Sequence, residues 1–411
     1  MYELEGVQER VVLIGVQEND GEDVEDSVRE LGELACTAGA SVAGMVIQKR
    51  ESVHPGTYIG KGKIEEVKML MIMEDATGVV CDDELSPAQM NNLQQELECK
   101  VLDRTLLILD IFADHAVTRE GKIQVELAQL RYRAARLTGL GHSLSRLGGG
   151  IGTRGPGEKK LEMDRRLIRS RISQLKRDLE EVIRHRELVR SRRQKKGRRI
   201  AALVGYSSAG KSSVLNYLTD AGVLEDEMLF STLDTTTRVL KLSGKQEILL
   251  TDTVGFIRKL PHNLIEAFKS TLEEVCYADI IVHVVDASNP QMETQMHVVY
   301  ETLRELGALD KPVITLFHKQ DRISDRKNFR DFRAEYSILT SVKTGEGMED
   351  FKAALEELLR AGQIYVERLY PYDKAGVIQL IRQKGELLEE EYQADGIHVK
   401  AYVSREIYGK I

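Results

Sequence analysis

The chain has 411 residues, 42% of them apolar and 30% charged, with a formal net charge of −8. That length allows two or three domains with cores of their own, and the composition excludes a disordered or fibrous chain. The longest apolar run, around "IIVHVV", is far too short to cross a bilayer, and "MYELEGVQERVVLIG" lacks the basic-then-apolar order of a secretory leader. The four cysteines, Cys36, Cys81, Cys99 and Cys276, form no C-x-x-C pair and have no histidine at metal-ligand spacing. They are expected to be reduced thiols of a cytoplasmic protein.

Residues 1 to about 105 alternate short apolar runs with helical patterns. "RVVLIGV" and "TGVVCDD" predict buried strands, while "DVEDSVRELGELACTAGA" and "KGKIEEVKMLMIMED" carry helical spacing. That rhythm predicts a small α/β domain with a parallel sheet. Within it, "GTYIGKGKIEEV" is a glycine-rich loop entering a helix, which suits an ordinary turn and cap as well as an anion site.

Residues 106–197 predict two long helices. Ile123, Leu127, Leu130, Ala134 and Leu137 repeat at steps of four and three in the first. Leu161, Ile168, Ile172, Leu175, Leu179, Val182 and Val189 fit the same narrow seam in the second, interrupted by Arg165 and Arg186. Each stripe needs a partner and the nearest is the other, so an antiparallel helical hairpin is expected.

From Arg154 to Arg199 there are 18 Lys/Arg against 7 Asp/Glu, a surplus of 11 that leaves −19 for the remainder. Such a split points to a basic element aimed at a polyanion, although a solvated helix face would show the same count. The hairpin tip, "GLGHSLSRLGGGIGTRGPGE", is too long and glycine-rich for a minimal helix–helix connection. A basic tip of low bulk suits insertion into an RNA surface, where backbone can approach phosphates closely; the alternative is a disordered connector. It holds no aromatic residue, which argues against base stacking there.

From 198 to 362 apolar strands alternate again with helical segments. "GYSSAGKS" fits G-x-x-x-x-G-K-[ST] and stands between the strand "RIAALV" and the helical "SVLNYLTD", the context that separates a working phosphate loop from a chance match. Gly205, Tyr206, Ser207, Ser208, Ala209, Gly210, Lys211 and Ser212 are therefore the predicted phosphate-binding residues. The glycines let successive N–H groups turn toward phosphate oxygens. Lys211 would neutralise the β- and γ-phosphates, and the Ser212 hydroxyl would ligate Mg²⁺.

Two further loops are placed to sense the γ-phosphate. "ILLTDTVGF" supplies Asp252, Thr253, Val254 and Gly255, with Asp252 holding the Mg²⁺ shell through water and the Gly255 N–H facing the γ-phosphate. "FSTLDTTTRV" supplies Phe230, Ser231, Thr232, Leu233 and Asp234, of which Thr232 is the candidate for a hydroxyl that ligates Mg²⁺ only in the triphosphate state. Lys211, Thr232 and Gly255 are the catalytic candidates.

After "ADIIVHVVDAS" comes "PVITLFHKQD", whose last four residues nearly spell Asn-Lys-x-Asp, a guanine-reading tetrapeptide. His318 takes the place of Asn, followed by Lys319, Gln320 and Asp321. Asp321 would accept the guanine N1–H and N2 amine together, a pairing that adenine lacks. Lys319 would lay its stem across the base. In "SVKTGEG", Ser341, Val342 and Lys343 would offer a backbone N–H to the guanine O6. The last 49 residues predict a small α+β domain: strands in "YVERLYPYD" and "GIHVKAYVS" with "AGVIQLIRQKGELLEEE" as a helix between them.

With these residues in view the chain resembles the HflX family of ribosome-associated GTPases. The likeness rests on "GTYIGKGK", "DRTLLILDIFADHAVTREGKIQVELAQL", "GGGIGTRGPGE", "GYSSAGKSS", "FSTLDTTTR", "DTVGFI" and "SVKTGEG", and spans most of the chain. It implies a nucleotide-binding-like N-terminal domain, a helical hairpin, a Ras-like GTPase domain and a small C-terminal domain. It implies a monomer that binds the large ribosomal subunit and its RNA, with the tip from Gly148 to Glu158 reaching toward the peptidyl-transferase centre. It further implies splitting of stalled ribosomes under stress, and for some members an ATPase activity linked to the N-terminal domain. The family usually has Asn at the position of His318, so the histidine is expected to alter affinity more than base choice. Phe256 is normal for the family; a phenyl ring cannot orient a nucleophilic water, so slow intrinsic hydrolysis accelerated by ribosomes is expected. Rival readings are a GTPase of ribosome assembly or subunit storage, and an RNA-binding scaffold with a degenerate nucleotide site.

Overall fold

The computed structural model describes residues 9–19, 24–144, 156–195, 199–219, 229–230, 235–242, 247–260, 272, 274–323, 329–361, 363–403 and 405–411. The chain divides into two compact units. The described residues up to Arg184, with Leu229–Phe230 and Arg258–Leu260, form the first, and the others form the second.

The first unit is built on a parallel four-stranded sheet in the order β2-β1-β3-β4. The strands are β1 (Arg10–Glu18), β2 (Ser41–Arg50), β3 (Gly78–Cys81) and β4 (Lys100–Asp103). A strand covered on both faces reads as a continuous apolar run, and six consecutive residues of β1 are buried. Val12 and Ile14 face a core shared with Ile64 and Val67 of α2 (Lys61–Met73) and Leu93 and Leu97 of α3 (Pro87–Leu97). On the other side α1 (Val24–Thr37) packs so closely that a Cβ on Gly15 would lie 2.6 Å from a Val28 methyl. Ser86 opens α3 with a capping box to Gln89 and a proline in the first turn.

Asp103 caps α4 (Arg104–His115) by accepting from the Leu106 N–H at 2.9 Å. The same buried carboxylate takes the Tyr132 hydroxyl (2.8 Å) and the Arg136 guanidinium (2.6 Å), so it ties α5 (Arg119–Leu144) to the end of the sheet. The hairpin seam then follows the sequence pattern: Ile123, Leu127 and Leu130 of α5 meet Ile172, Leu175, Leu179 and Val182 of α6 (Pro156–Lys195). Residues 148–155 of the tip lie outside the described residues.

The second unit holds a six-stranded sheet in the order β10-β9-β8-β5-β7-β6, parallel except for β6 at one edge. Its strands are β5 (Arg199–Gly205), β6 (Thr236–Lys241), β7 (Glu247–Asp252), β8 (Ile280–Asp286), β9 (Val313–His318) and β10 (Tyr336–Leu339). Side chains of alternating strand positions separate two cores. Leu203, Val282, Val284 and Leu316 pack with α7 (Lys211–Thr219) and the helix Met348–Arg360, whereas Ala202, Val204 and Ile281 pack with the helix Met292–Glu305, α8. In an open parallel sheet the ligand crevice lies beyond the carboxyl ends of the strands. The phosphate loop after β5, the 252–255 segment at the end of β7 and the loops after β9 and β10 all lie at that end.

The C-terminal segment corrects one expectation. The helix Ala375–Lys384 stops at Gly385, and "ELLEEE", expected to continue it to Glu391, lies in a strand, β12 (Glu386–Gln393). It pairs antiparallel with β13 (Gly396–Val403), which also pairs with β11 (Ile364–Tyr370). A Cβ at position 385 would lie 3.0 Å from the carbonyl oxygens of both Ile381 and Tyr402, so glycine permits the chain to turn back tightly there. Cross-strand pairing thus overrides the helix propensity of a Leu/Glu run.

Candidate nucleotide site

The apolar run of β5 delivers Gly205 into a tight loop that α7 closes. Bulk is excluded from this loop on two sides. A Cβ on Gly205 would meet the Val284 carbonyl oxygen at 2.2 Å, and one on Gly210, whose φ is +98°, would meet the His318 ring at 2.6 Å. Ser208 also takes a left-handed φ of +59°, as a turn that curls N–H groups inward requires. The segment after β7 is laid against this loop by two backbone bonds, Ser207 N–H to Phe256 O (2.7 Å) and Phe256 N–H to Gly205 O (3.1 Å). Gly255 is thereby brought so close that a Cβ there would sit 2.7 Å from Ser207 Cα and 3.1 Å from Lys211 Nζ.

Lys211 is buried, and its ammonium donates to the carbonyls of Tyr206 (2.9 Å) and Gly205 (3.2 Å). Burial pushes its pKa down to about 8, against the opposing pull of Asp252. Buried Asp252 accepts from the Ser212 hydroxyl at 2.7 Å, and the Thr253 hydroxyl donates to Leu203 O at 2.6 Å. A hydroxyl and a carboxylate oxygen are the hard donors that Mg²⁺ takes while phosphates and water fill its remaining positions. These two oxygens fit an ion whose other ligands come from phosphate and water.

On the base side, Lys319 adopts a left-handed φ of +59° and its ammonium bridges Ser208 O (2.9 Å) and Asp286 Oδ2 (2.7 Å). Asp321 accepts the Ser341 hydroxyl at 2.6 Å, the main cause of a carboxylate pKa held below its ordinary value. The Ser341 N–H in turn donates to Glu346 O, and the Thr340 N–H to Phe317 O, which fixes the loop carrying Val342 and Lys343. His318 is buried with Nδ1 3.2 Å from the Thr340 hydroxyl. Burial, with Lys319 adding to it, lowers its pKa to about 4, so the ring is neutral at pH 7.

The structure thus brings together residues 205–212, 252–255, 318–321 and 341–343. Ser231, Thr232, Leu233 and Asp234 lie outside the described residues. Phe230, grouped with them by sequence, belongs to the other unit, where its buried ring meets Phe112 edge-on at 4.7 Å; an apolar ring finds its place in a core. Phe256 is likewise buried, in the core with Val299 and Tyr300, rather than beside the phosphate loop's open face. Sequence reasoning missed Asp286 and Thr340, the partners of Lys319 and His318. Asp286 ends the apolar strand "IIVHVVD" just as Asp252 ends "ILLTD", a signal present in the sequence.

This arrangement defines a phosphate-loop nucleotide-binding domain. Residues 200–319 match the family described as 50S ribosome-binding GTPase, residues 25–113 the GTP-binding GTPase N-terminal family, and residues 115–193 the GTP-binding GTPase middle region. A GTPase HflX of Lacrimispora saccharolytica is 62% identical over the whole chain and 97% of its own length. The GTPase HflX of Caldanaerobacter subterraneus is 48% identical over 99% of this chain and 94% of that one, and that of Escherichia coli 39% over 97% and 91%. A Sulfolobus solfataricus GTP-binding protein solved with GDP aligns with 85% of this chain and 98% of its own at 23% identity and a TM-score of 0.45. The chain belongs to the HflX family of GTPases.

Proposed function

We propose that the protein is a cytoplasmic, monomeric GTP-driven switch that binds the large ribosomal subunit and dissociates stalled ribosomes under stress. The observation that carries the GTP reading is the juxtaposition of Asp321, braced by Ser341, with the loop that starts at Gly205. Lys211 leaves its two carbonyls to bind the β- and γ-phosphates, and residues 205–212 supply N–H donors. Ser212, Thr232 and, through water, Asp252 would hold Mg²⁺, which when bound spreads the phosphate charge. Gly255 approaches the γ-phosphate, and Asp321 and the 341–343 loop read the guanine edge. Phe256 is turned into the core and cannot orient a water, so intrinsic hydrolysis is slow until the ribosome completes the site. The basic α6 and the tip from Gly148 to Glu158 contact ribosomal RNA.

Triphosphate orders the loops at Thr232 and Gly255, that state docks and splits, and loss of the γ-phosphate relaxes them for release. GTP turnover with and without large subunits tests the enzyme, with stimulation expected only when they are present. In a single round, GTP and a non-hydrolysable analogue should split ribosomes equally. Splitting by GTP alone would overturn this order, and sucrose-gradient profiles without any splitting would leave a GTPase of assembly or storage.

A further inference from the structure

The segment Phe329–Arg333, "FRDFR", is held from beneath by one buried carboxylate. Asp331 Oδ2 accepts the hydroxyls of Tyr300 (2.5 Å) and Thr315 (2.6 Å), Oδ1 accepts the Arg333 N–H (3.0 Å), and the Asp331 N–H donates to Ser337 Oγ (2.9 Å). Phe329 stacks inward on Phe317, centroids 5.4 Å apart. With alternate residues pinned inward, Phe332 and Arg330 are directed outward. Phe332 is 87% exposed, more than any other large apolar side chain among the described residues, and the Arg330 guanidinium lies 5.4 Å from its ring centre. Arg333 lies 4.8 Å over Tyr300 beside them. A groove of about 950 Å³, lined by Met292, Met296, His297 and Ile323, runs alongside, and no residue of the nucleotide site lines it.

We propose that Phe332 and Arg330 form a stacking platform for an unpaired nucleotide of RNA. A phenyl ring standing in solvent on a pinned backbone offers a flat face to any base, and the neighbouring guanidiniums supply the cation for its phosphate. Arg330 and Arg333 put two guanidiniums beside the ring, with Asp331 buried beneath and Glu293 farther along the groove, which favours a phosphate next to the ring over an apolar protein partner. The inference does not rest on ribosome splitting, because free RNA is the probe.

The protein contains no tryptophan, so Phe332→Trp creates a single reporter at the platform. Titrating full-length Phe332→Trp with a ten-nucleotide single-stranded RNA should quench its emission, saturating with the anisotropy of the same RNA carrying a label. Heparin, a polyanion without bases, should leave the emission unchanged. Phe332→Ala should weaken RNA binding about tenfold, the size of one lost stacked base, while GTP turnover stays at the wild-type rate as the control for folding. RNA that fails to bind, or binds with emission unchanged, overturns the proposal. So does equal quenching by heparin, or a response only to RNA-stripped ribosomal proteins, which would mark a protein-docking surface instead.

Discussion

Arg104 and Lys211 are both buried cations opening helices at the carboxyl ends of parallel strands, and they are satisfied in opposite ways. Arg104 is 1% exposed and meets two carboxylates, Asp82 (2.8 Å) and Glu30, while Asp82 also takes Ser27 (2.8 Å) and Lys259 (2.5 Å). Lys211 is 6% exposed and is held by two neutral carbonyls. A buried cation in contact with carboxylates of its own chain is structure, whereas one whose hydrogen bonds go to carbonyls can take an incoming anion. Arg104 is neutralised within its own unit, whereas Lys211 is left able to take a ligand's phosphate.

The largest expected effect tests the internal side. Arg104→Met should lower the local stability of the first unit by about 3 kcal/mol, because Asp82 loses one cation in a dry site. Faster hydrogen exchange in β1 and β3 is the measurement, with nucleotide affinity unchanged. Next, Lys211→Ala should weaken GTP binding about 100-fold, on the order of two charged hydrogen bonds. Its nucleotide-free melting temperature should stay level or rise, since a desolvated charge is removed. A fall as large as that of Arg104→Met would break the distinction.

What the sequence made legible follows the same division between local and long-range causes. The phosphate loop could be read because strand, glycines, lysine and helix are contiguous, as could the hairpin seam with its regular steps. Strand β2 could not, since "SVAGMVIQKR" is an edge with Gly44 and a polar end and most of its residues are half-covered. The strand "ELLEEEYQ" hid behind helix-forming residues until β13 paired with it. Asp286 and Thr340 acquire meaning only when the sheet brings them beside Lys319 and His318, 33 and 22 residues away.

The state of Lys211 also predicts proton traffic. Its pKa of about 8 lies below the ordinary 10.5 because burial penalises the ammonium, so folding disfavours the charged form. The penalty is fully present below pH 8 and is relieved as pH rises toward 10.5, where the unfolded chain holds a proton that the folded one has lost. Phosphate restores the ammonium. Calorimetry of GDP binding at pH 9, in buffers of different ionisation enthalpy, should therefore show uptake of most of one proton. Lys211→Met should abolish it, and at pH 6.5 the wild type should show no uptake at this group. Equal uptake at both pH values would mean that the lysine is already neutralised as Arg104 is.

The smallest effect concerns His318, which combines the two situations: buried beside the ligand site, yet uncharged. Its pKa of about 4 against an ordinary 6.5 means that the unfolded chain takes up a proton between those values while the folded ring does not. That contribution to stability is intact above pH 6.5 and is lost as pH falls toward 4; His283, also near 4, acts in the same direction. A neutral imidazole offers a single N–H. With Nδ1 beside the Thr340 hydroxyl and the ring's other edge against Gly210, it reaches the phosphate loop where an asparagine would bridge loop and base with a carboxamide. His318→Asn should tighten GDP binding about fivefold, the worth of one net hydrogen bond, and leave the preference for guanine over adenine unchanged, because the proposed reading gives that difference to Asp321. It should also flatten part of the stability loss between pH 6.5 and 4. An unchanged or weaker GDP affinity in that variant would show that the imidazole already makes the bridging contact.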